Sequence, residues 1–310
     1  MMNVKAYQIE SNLILAQRGK TFFWAKFCLK QTQATDATRL YRFCRYIDDI
    51  ADECSDSASA MHRLLHMIAC LRAGESNDPI VQDAIGLFRH YQIEVDIPIL
   101  LIEGVISDLD DVAIRDVASL LIYCYQVAGT VGIMMCKILG VREQAAYAHA
   151  IDLGIAMQLT NICRDVKEDA QLGRRYLPKS LVGNISLSQL IQPDQQSQIV
   201  IVNAIKQLLA LAQSYYQSGH QGLCFLPLNA RLAISLAATL YQAIGTVLQN
   251  NHYQYWQARA YVTPVNKLLL SLRCMSSKLF DPAFYQYQHH HSATLHSSLR
   301  CLPYVNSTTL

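Results

Sequence analysis

The 310-residue sequence predicts an all-α protein, a single helical domain wrapped around an apolar interior. Three observations carry that expectation. Apolar residues recur every three to four positions along most of the chain, the spacing of one helix face. Glycine and proline number only 13 and 8 and fall mainly between the periodic stretches. Strand-like alternation bounded by turn residues is hard to find. With 52% hydrophobic and 16% charged residues, the chain has ample material for a large core. Its length would allow two domains, but no Pro/Ser linker, low-complexity tract or fixed-period repeat divides it. Residues 1–282 are expected to form one domain. Residues 283–310, containing FYQYQHHHSATLHSSLR, read as a polar, flexible, solvated tail, with weak metal binding by the triple histidine as the lesser reading.

Taken in order, the periodic stretches predict helices over 20–30, 36–53, 57–72, 78–91, 97–107, 116–139, 142–169, 187–191, 196–219, 228–250 and 263–279. Thr35 and Asp36 read as N-caps of the second helix. Gly140 reads as the stop of the long apolar helix before it. Gly173 and Pro178 end the helix that carries Asp165 and Asp169. Two stretches lack charge altogether: 117–136 (VASLLIYCYQVAGTVGIMMC) and 232–258. Each is long enough to span a bilayer. The first contains Ser119, Tyr123, Tyr125, Gln126 and Thr130, and the second several Gln and Asn, which are costly against lipid. Both are expected to be buried central helices. No segment stands out as a basic amphipathic helix.

Charge and cysteine usage narrow the function. A formal net charge of +2 offers no bulk attraction to nucleic acid, and no nucleic-acid partner is expected. Ten scattered cysteines form no CxxC and no zinc spacing with His. The first residues lack a basic-then-apolar leader pattern. Reduced thiols in a cytoplasm are the expectation. There is no GxxxxGK[ST], no GxGxxG after a strand and no GxSxG elbow.

The chemistry-bearing pattern is a pair of aspartate clusters. In 41–53 (YRFCRYIDDIADE), Asp48 and Asp52 lie four apart, on one helix face and roughly 6 Å apart along the axis. Arg45 lies on the same side, three residues before Asp48. In 158–178 (QLTNICRDVKEDAQLGRRYLP), Asn161, Asp165 and Asp169 repeat every four residues within an otherwise apolar helix, with Arg164 adjacent. Like charges at this spacing disfavour a bare helix, and buried carboxylates must be paired or bind metal. Oxygen ligands select a hard cation, and Mg²⁺ typically combines one or two carboxylates with substrate phosphates. Asp48, Asp52, Asn161, Asp165 and Asp169 are the expected ligands of Mg²⁺, with Mn²⁺ as the substitute.

These residues carry a resemblance. The chain resembles the squalene/phytoene synthase family over about residues 12–280, on Asp48–Asp52 and on Asn161-Ile-Cys-Arg164-Asp165-Val-Lys-Glu168-Asp169 running into Gly173-Arg-Arg-Tyr-Leu-Pro178. Lys20-Thr21-Phe22, the stretch from Tyr123 through Val127 to Val131-Gly132, and the stretch from Gly222 to Tyr241 are similar to further family segments. The resemblance implies an isoprenoid synthase fold around a central cavity. It implies head-to-head condensation of two prenyl diphosphates through a cyclopropylcarbinyl diphosphate. Asp48, Asp52, Asp165, Asp169, Tyr123 and Tyr241 would then be catalytic, the tyrosines through their ring faces. Lys20, Thr21, Phe22, Tyr41, Arg45, Val127, Val131, Gln158, Asn161, Arg164, Arg174 and Tyr176 would bind substrate. The stretches VAGTVGIMM, QLTNICRDVKEDA and GRRYLP look most like bacterial phytoene synthases. That implies C20 diphosphates as substrates, with C15 as the second length, and no NADPH. Squalene, dehydrosqualene or presqualene diphosphate synthesis is the alternative, and a non-catalytic assembly protein a more distant one. Expected partners are an upstream prenyl diphosphate synthase, a downstream desaturase and peripheral contact with membrane.

Overall fold

The structure, a computed structural model, describes residues 24–53, 56–279, 282–285 and 291–305. After a 3₁₀ turn at Lys26–Cys28, the helices are α1 (Gln31–Glu53), α2 (Ser57–Ala73), α3 (Pro79–His90), α4 (Asp96–Ile106) and α5 (Val117–Cys124). A π-helical turn, Tyr125–Gly129, joins α5 to α6 (Thr130–Ile138). Then follow α7 (Ala145–Arg164), α8 (Val166–Gln171), α9 (Lys179–Val182), α10 (Leu187–Ile191), α11 (Gln195–Gln221), α12 (Leu228–Asn250) and α13 (Pro264–Leu279). The all-α expectation holds. Among the described residues the one extended pairing is an isolated bridge between Ala113 and Arg175.

The starts of these helices follow from local chemistry. Asp56, Asp78, Asp116 and Asp194 each accept hydrogen bonds from the otherwise orphaned first-turn amides of α2, α3, α5 and α11. Ser186 and Gln189 form a reciprocal capping box on α10. One expected cap fails. The helix begins at Gln31, so Thr35 and Asp36 both lie inside α1, where Asp36 binds Arg39 at 2.8 Å and the Tyr91 hydroxyl at 2.6 Å. Its side chain serves a tertiary contact that sequence-local rules do not see. The helix expected over 142–169 is also divided: Asp165 leaves helical geometry (φ −104°, ψ 16°), ending α7 and starting α8.

Helix α7 is the axis of the molecule, packed against α11, α6, the π turn and α12. Its crossing with the π turn and α6 is too close for side chains. A Cβ on Gly154 would lie 2.4 Å from the Ala128 carbonyl oxygen, and one on Gly132 would lie 2.3 Å from that of Ala150. Glycine at both positions lets the backbones touch. The π turn adds a residue to the helical repeat there, and its Gln126 and Val127 side chains pack against Gly104 of α4.

The two uncharged stretches form Val117–Ile138 and Leu228–Asn250, long and apolar enough to cross a membrane, yet about half of each is buried in the protein. Both contribute a wall to the same internal cavity, which accounts for their lack of charge.

The expected tail does not behave as its composition implies. Residues 291–305 fold back onto the helices, with Leu299, Val305 and His296 buried. The Asp152 carboxylate of α7, fully shielded from solvent, accepts hydrogen bonds from His296 Nε2 at 2.7 Å and His291 Nε2 at 2.8 Å, and from the Ser218 hydroxyl. The Tyr125 and Tyr215 hydroxyls donate to the Pro303 and Leu295 carbonyls, both at or near 2.8 Å. A buried carboxylate needs such donors, and a polar, histidine-rich segment can supply them. His289 and His290 lie outside the described residues.

Burial alone would raise the Asp152 pKa, but the bonds from His291 and His296 hold it below the ordinary carboxylate value. A depressed carboxylate stabilises the fold above its unfolded pKa, near 4, and that contribution disappears as pH falls through the folded value. His296→Ala leaves a buried carboxylate short of a donor and is expected to cost about 3 kcal/mol. Thermal melts read this as a Tm lowered by several degrees at neutral pH, with the gap to wild type closing in strong acid.

Candidate active site

Two chambers meet inside the bundle. The inner one, about 320 Å³, is largely apolar. It is lined by Tyr41, Val127, Val131, Met135, Ile234 and Tyr241, among others, with His149, Phe225 and Leu226 also contributing. The outer one, about 270 Å³, is polar and is lined by Arg45, Asp48, Asp52, Asp108, Tyr123, Arg164, Asp165, Asp169, Arg174 and Tyr176. Asp48, Val127, Gln158 and Asn161 line both chambers and so mark their junction.

Helix α1 brings Asp48 and Asp52 to one side of the outer chamber, and the α7–α8 junction brings Asn161, Asp165 and Asp169 to the other. The clusters therefore share one chamber. Arg45 lies on the chamber side of α1, as its spacing from Asp48 implies. Its guanidinium binds Asp49, one helical turn on, and stands 4.0 Å from Asp52. Arg164 forks onto Asp165 from the adjacent position, and Arg259 adds a second cation at 2.7 Å. Arg174 closes the ring, bonding Asp52 at 2.7 Å and the Asp108 carbonyl at 3.2 Å. The pairing of Arg175 N with the Val112 carbonyl at 3.0 Å holds this loop in place.

Asp108 escaped the sequence reading. It follows α4 in a run, SDLDD, whose several carboxylates resemble a solvated turn. In the fold it accepts hydrogen bonds from Tyr176 at 2.7 Å and Tyr123 at 2.9 Å, and the two rings stack with centroids 5.0 Å apart. Tyr123 thus stands in the polar chamber, and its ring is not part of the apolar wall. Tyr241 and Tyr41 do line the apolar chamber. Arg259 was also missed, since it lies in an irregular loop far along the chain. Lys20, Thr21 and Phe22 lie outside the described residues.

The carboxylates differ in their protonation. Burial, then the neighbouring carboxylates, pushes Asp48 up to about 7 and Asp169 up to about 8. Burial pushes Asp108 up to about 6 against the pull of Tyr176 and Arg174. Asp165 moves the other way: burial opposes its charge, but the hydrogen bonds from Arg164 and Arg259 hold it below the ordinary value. Among the described residues, the buried oxygens Asn161 Oδ1 and Glu168 Oε2 find no hydrogen-bond partner, and neither does the buried Arg45 Nε. Unpartnered buried acceptors beside carboxylates that resist ionisation fit a set of oxygen ligands for a hard cation. Asp48, Asp52, Asn161, Asp165 and Asp169, with Glu168 close by, could hold divalent ions. Arg45, Arg164 and Arg174 are placed for phosphate oxygens.

A model of the family described as squalene/phytoene synthase matches residues 15–266. A 15-cis-phytoene synthase from Pantoea ananas is 30% identical, covering 86% of this chain and 90% of its own. Another from Enterobacter agglomerans is 33% identical, covering 74% and 82%. A ligand-bound dehydrosqualene synthase structure superposes with TM-score 0.79 at 27% identity, covering 88% of this chain and 96% of that one. A squalene synthase from Alicyclobacillus acidocaldarius shares the fold, with TM-score 0.65 at 19% identity over 78% and 92%.

The raised carboxylates give a sign-definite prediction. A carboxyl whose folded pKa exceeds its unfolded value near 4 stabilises the fold below that value and loses the contribution as pH rises. For Asp48 and Asp169 the loss runs through about 7 and 8. The cation-free protein should melt at lower temperature at pH 9 than at pH 6, and saturating Mg²⁺ should flatten that slope. Calorimetric titration at pH 7 in buffers of different ionisation enthalpy should detect protons released as Mg²⁺ binds. No proton release, or Mg²⁺ binding that does not strengthen as pH rises, would count against these carboxylates as ligands.

Proposed function

The chain belongs to the squalene/phytoene synthase family, and on that premise we propose that it joins two geranylgeranyl diphosphates head to head to give phytoene, through a cyclopropylcarbinyl diphosphate. The observation that carries the reading is the meeting of the two chambers. Charged diphosphates need the outer one, while prenyl tails and their cations need the inner one, and a substrate so divided would have its C1 carbon near the shared residues Asp48, Val127, Gln158 and Asn161. The relatives named phytoene synthases favour the C20 substrate.

Bound Mg²⁺ supplies neutralisation of charge developing on the departing diphosphate. Asp48 and Asp52 on α1 and Asn161, Asp165 and Asp169 at the α7–α8 junction are the residues that would hold it. Arg45, Arg164 and Arg174 bind phosphate oxygens directly. As the first allylic diphosphate ionises, the 2,3-double bond of the second molecule attacks its C1, leaving a tertiary cation, and loss of a proton from C1 of the second molecule closes the cyclopropane. The second diphosphate then leaves, and the skeleton rearranges to the 1–1′ linked chain. Loss of a proton from that cation forms the central double bond, so no reductant is consumed. Throughout, Val127, Val131, Met135 and Ile234 exclude water that would trap the cations as alcohols. Tyr41 and Tyr241 stay protonated, Tyr41 raised to about 12 by burial, and offer ring faces to the cations. Tyr123 and Tyr176 act through Asp108, which they orient toward the chamber.

The likeness to a dehydrosqualene synthase favours a second reading, condensation of two C15 diphosphates in the same site. Incubation with Mg²⁺ and each substrate, followed by chromatography and mass analysis, separates them. The C20 diphosphate should give a C40 hydrocarbon without reductant. A C30 product from C15 alone would replace phytoene synthesis with the second reading, and a reductant requirement would point to squalene. Asp48→Ala and Asp165→Ala should each cut kcat by about a thousandfold or more, since each removes a leaving-group ligand. Both variants should keep wild-type circular dichroism, and near-normal turnover in both would sink the metal-site assignment.

A further inference from the structure

Helix α13 (Pro264–Leu279) is turned the opposite way from a helix on a soluble surface. Its inner face, Leu270, Ser271 and Cys274, packs on the protein, Cys274 against Leu236 and Leu240 of α12. Its outer face carries Val265, Leu268, Leu269, Leu272 and Met275, which are 67%, 48%, 58%, 58% and 37% exposed. At 100° per residue these five fall within one arc of roughly 120°, directly opposite Cys274. A surface helix ordinarily shows solvent its charged face, and a contiguous exposed apolar patch marks an interaction site. Tyr261, just ahead of the helix, is 69% exposed.

The charge around this face is of one sign. PVNKLLLSLRCMSSKL contains Lys267, Arg273 and Lys278 and no Asp or Glu. Beside it, α11, α12 and α13 enclose a cleft of about 810 Å³ whose lining includes Lys206, Arg273 and Lys278 and, among the described residues, no carboxylate. An apolar stripe flanked by cations and free of acids complements an anionic lipid surface, with leucines in the acyl boundary and cations at the phosphates. Behind α13, the opposite side of α12 faces the cavity. Its Ala233, Ile234, Ala237 and Tyr241 line the apolar chamber.

We propose that α13 is a membrane-docking helix, which lays its leucine face into the interface of an anionic bilayer and seats lipid phosphates against Arg273, Lys278 and Lys206. The enzyme is thereby held with α13, and behind it the α12 wall of its cavity, on the membrane side. That this serves transfer of prenyl chains rests on the prenyl diphosphate reading; docking itself rests on the helix.

Co-sedimentation of the full chain with vesicles of phosphatidylcholine, with and without phosphatidylglycerol, tests it. Wild type should sediment with the anionic vesicles, more weakly with neutral ones, and less at high salt. The double variant Leu268→Gln/Leu272→Gln should partition about a hundredfold more weakly, each buried leucine being worth about a tenfold factor. Exposed in the free protein, these positions should leave its melting temperature and its activity in detergent micelles unchanged. Wild type remaining in the supernatant, or the double variant sedimenting equally well, overturns docking. So does a vesicle-free dimer in velocity sedimentation that the same variant dissolves, since the face would then belong to a second copy. If no condensation product forms in any format, the catalytic reading fails, while sedimentation still decides the docking.

Discussion

The structure depends on one electrostatic constraint: carboxylates gathered at the mouth of an apolar cavity. Like charges about 6 Å apart repel by roughly 3 kcal/mol at an effective dielectric of 20, before any desolvation. Asp48, Asp108 and Asp169 escape part of that cost by holding protons to unusually high pH. Asp165 escapes it through two arginines. The cluster is thus balanced for cations and phosphates, and the three chamber arginines keep the site from being merely acidic. A chamber of carboxylates alone would repel a diphosphate, and one of arginines alone would have no place for a divalent ion.

Everything around that mouth serves to hold two helices in register. The glycine crossing brings the backbone of α7 against the π turn and α6, the elements whose Gln158, Asn161 and Val127 line both chambers. The break at Asp165 separates α7 from α8 and lets Arg164 fork back onto its neighbour. The Ala113–Arg175 bridge sets Arg174 and Tyr176 against Asp52 and Asp108, from a loop that would otherwise be free to swing. These are backbone devices, and they do for the polar chamber what apolar packing does for the rest of the core.

That division explains what was legible in the sequence. The i,i+4 spacing of Asp48–Asp52 and Asn161–Asp165–Asp169 is a local property of a helix, so it survives into the fold. Helical periodicity is likewise local, and the element order follows it closely. Asp108 and Arg259 become functional only through contacts across the chain, and nothing in their neighbours marks them. Asp36 reads as a cap until Arg39 and Tyr91 are placed around it. The histidine-rich end reads as solvated because composition registers polarity but not a buried acceptor elsewhere. Asp152, 139 residues before His291, is that acceptor.

Helix α13 shows the limit most clearly. Periodicity establishes that its apolar residues share a face, but not whether that face meets the core or the outside. The core of a protein this size normally claims such a face, because hydrophobic burial scales with area and favours whichever apolar surface lies nearest. Here Leu270 and Cys274 already occupy the contact with α12, and the far side of α12 is committed to the cavity. The outer leucines are therefore surplus to folding. Exposed apolar area of that kind is a standing cost in water, and one that a lipid surface would remove. With docking as proposed, the uncharged walls inside and the uncharged arc outside would answer to the same requirement, contact with long hydrocarbon chains, and the aspartates would be needed only where the chain ends in phosphate.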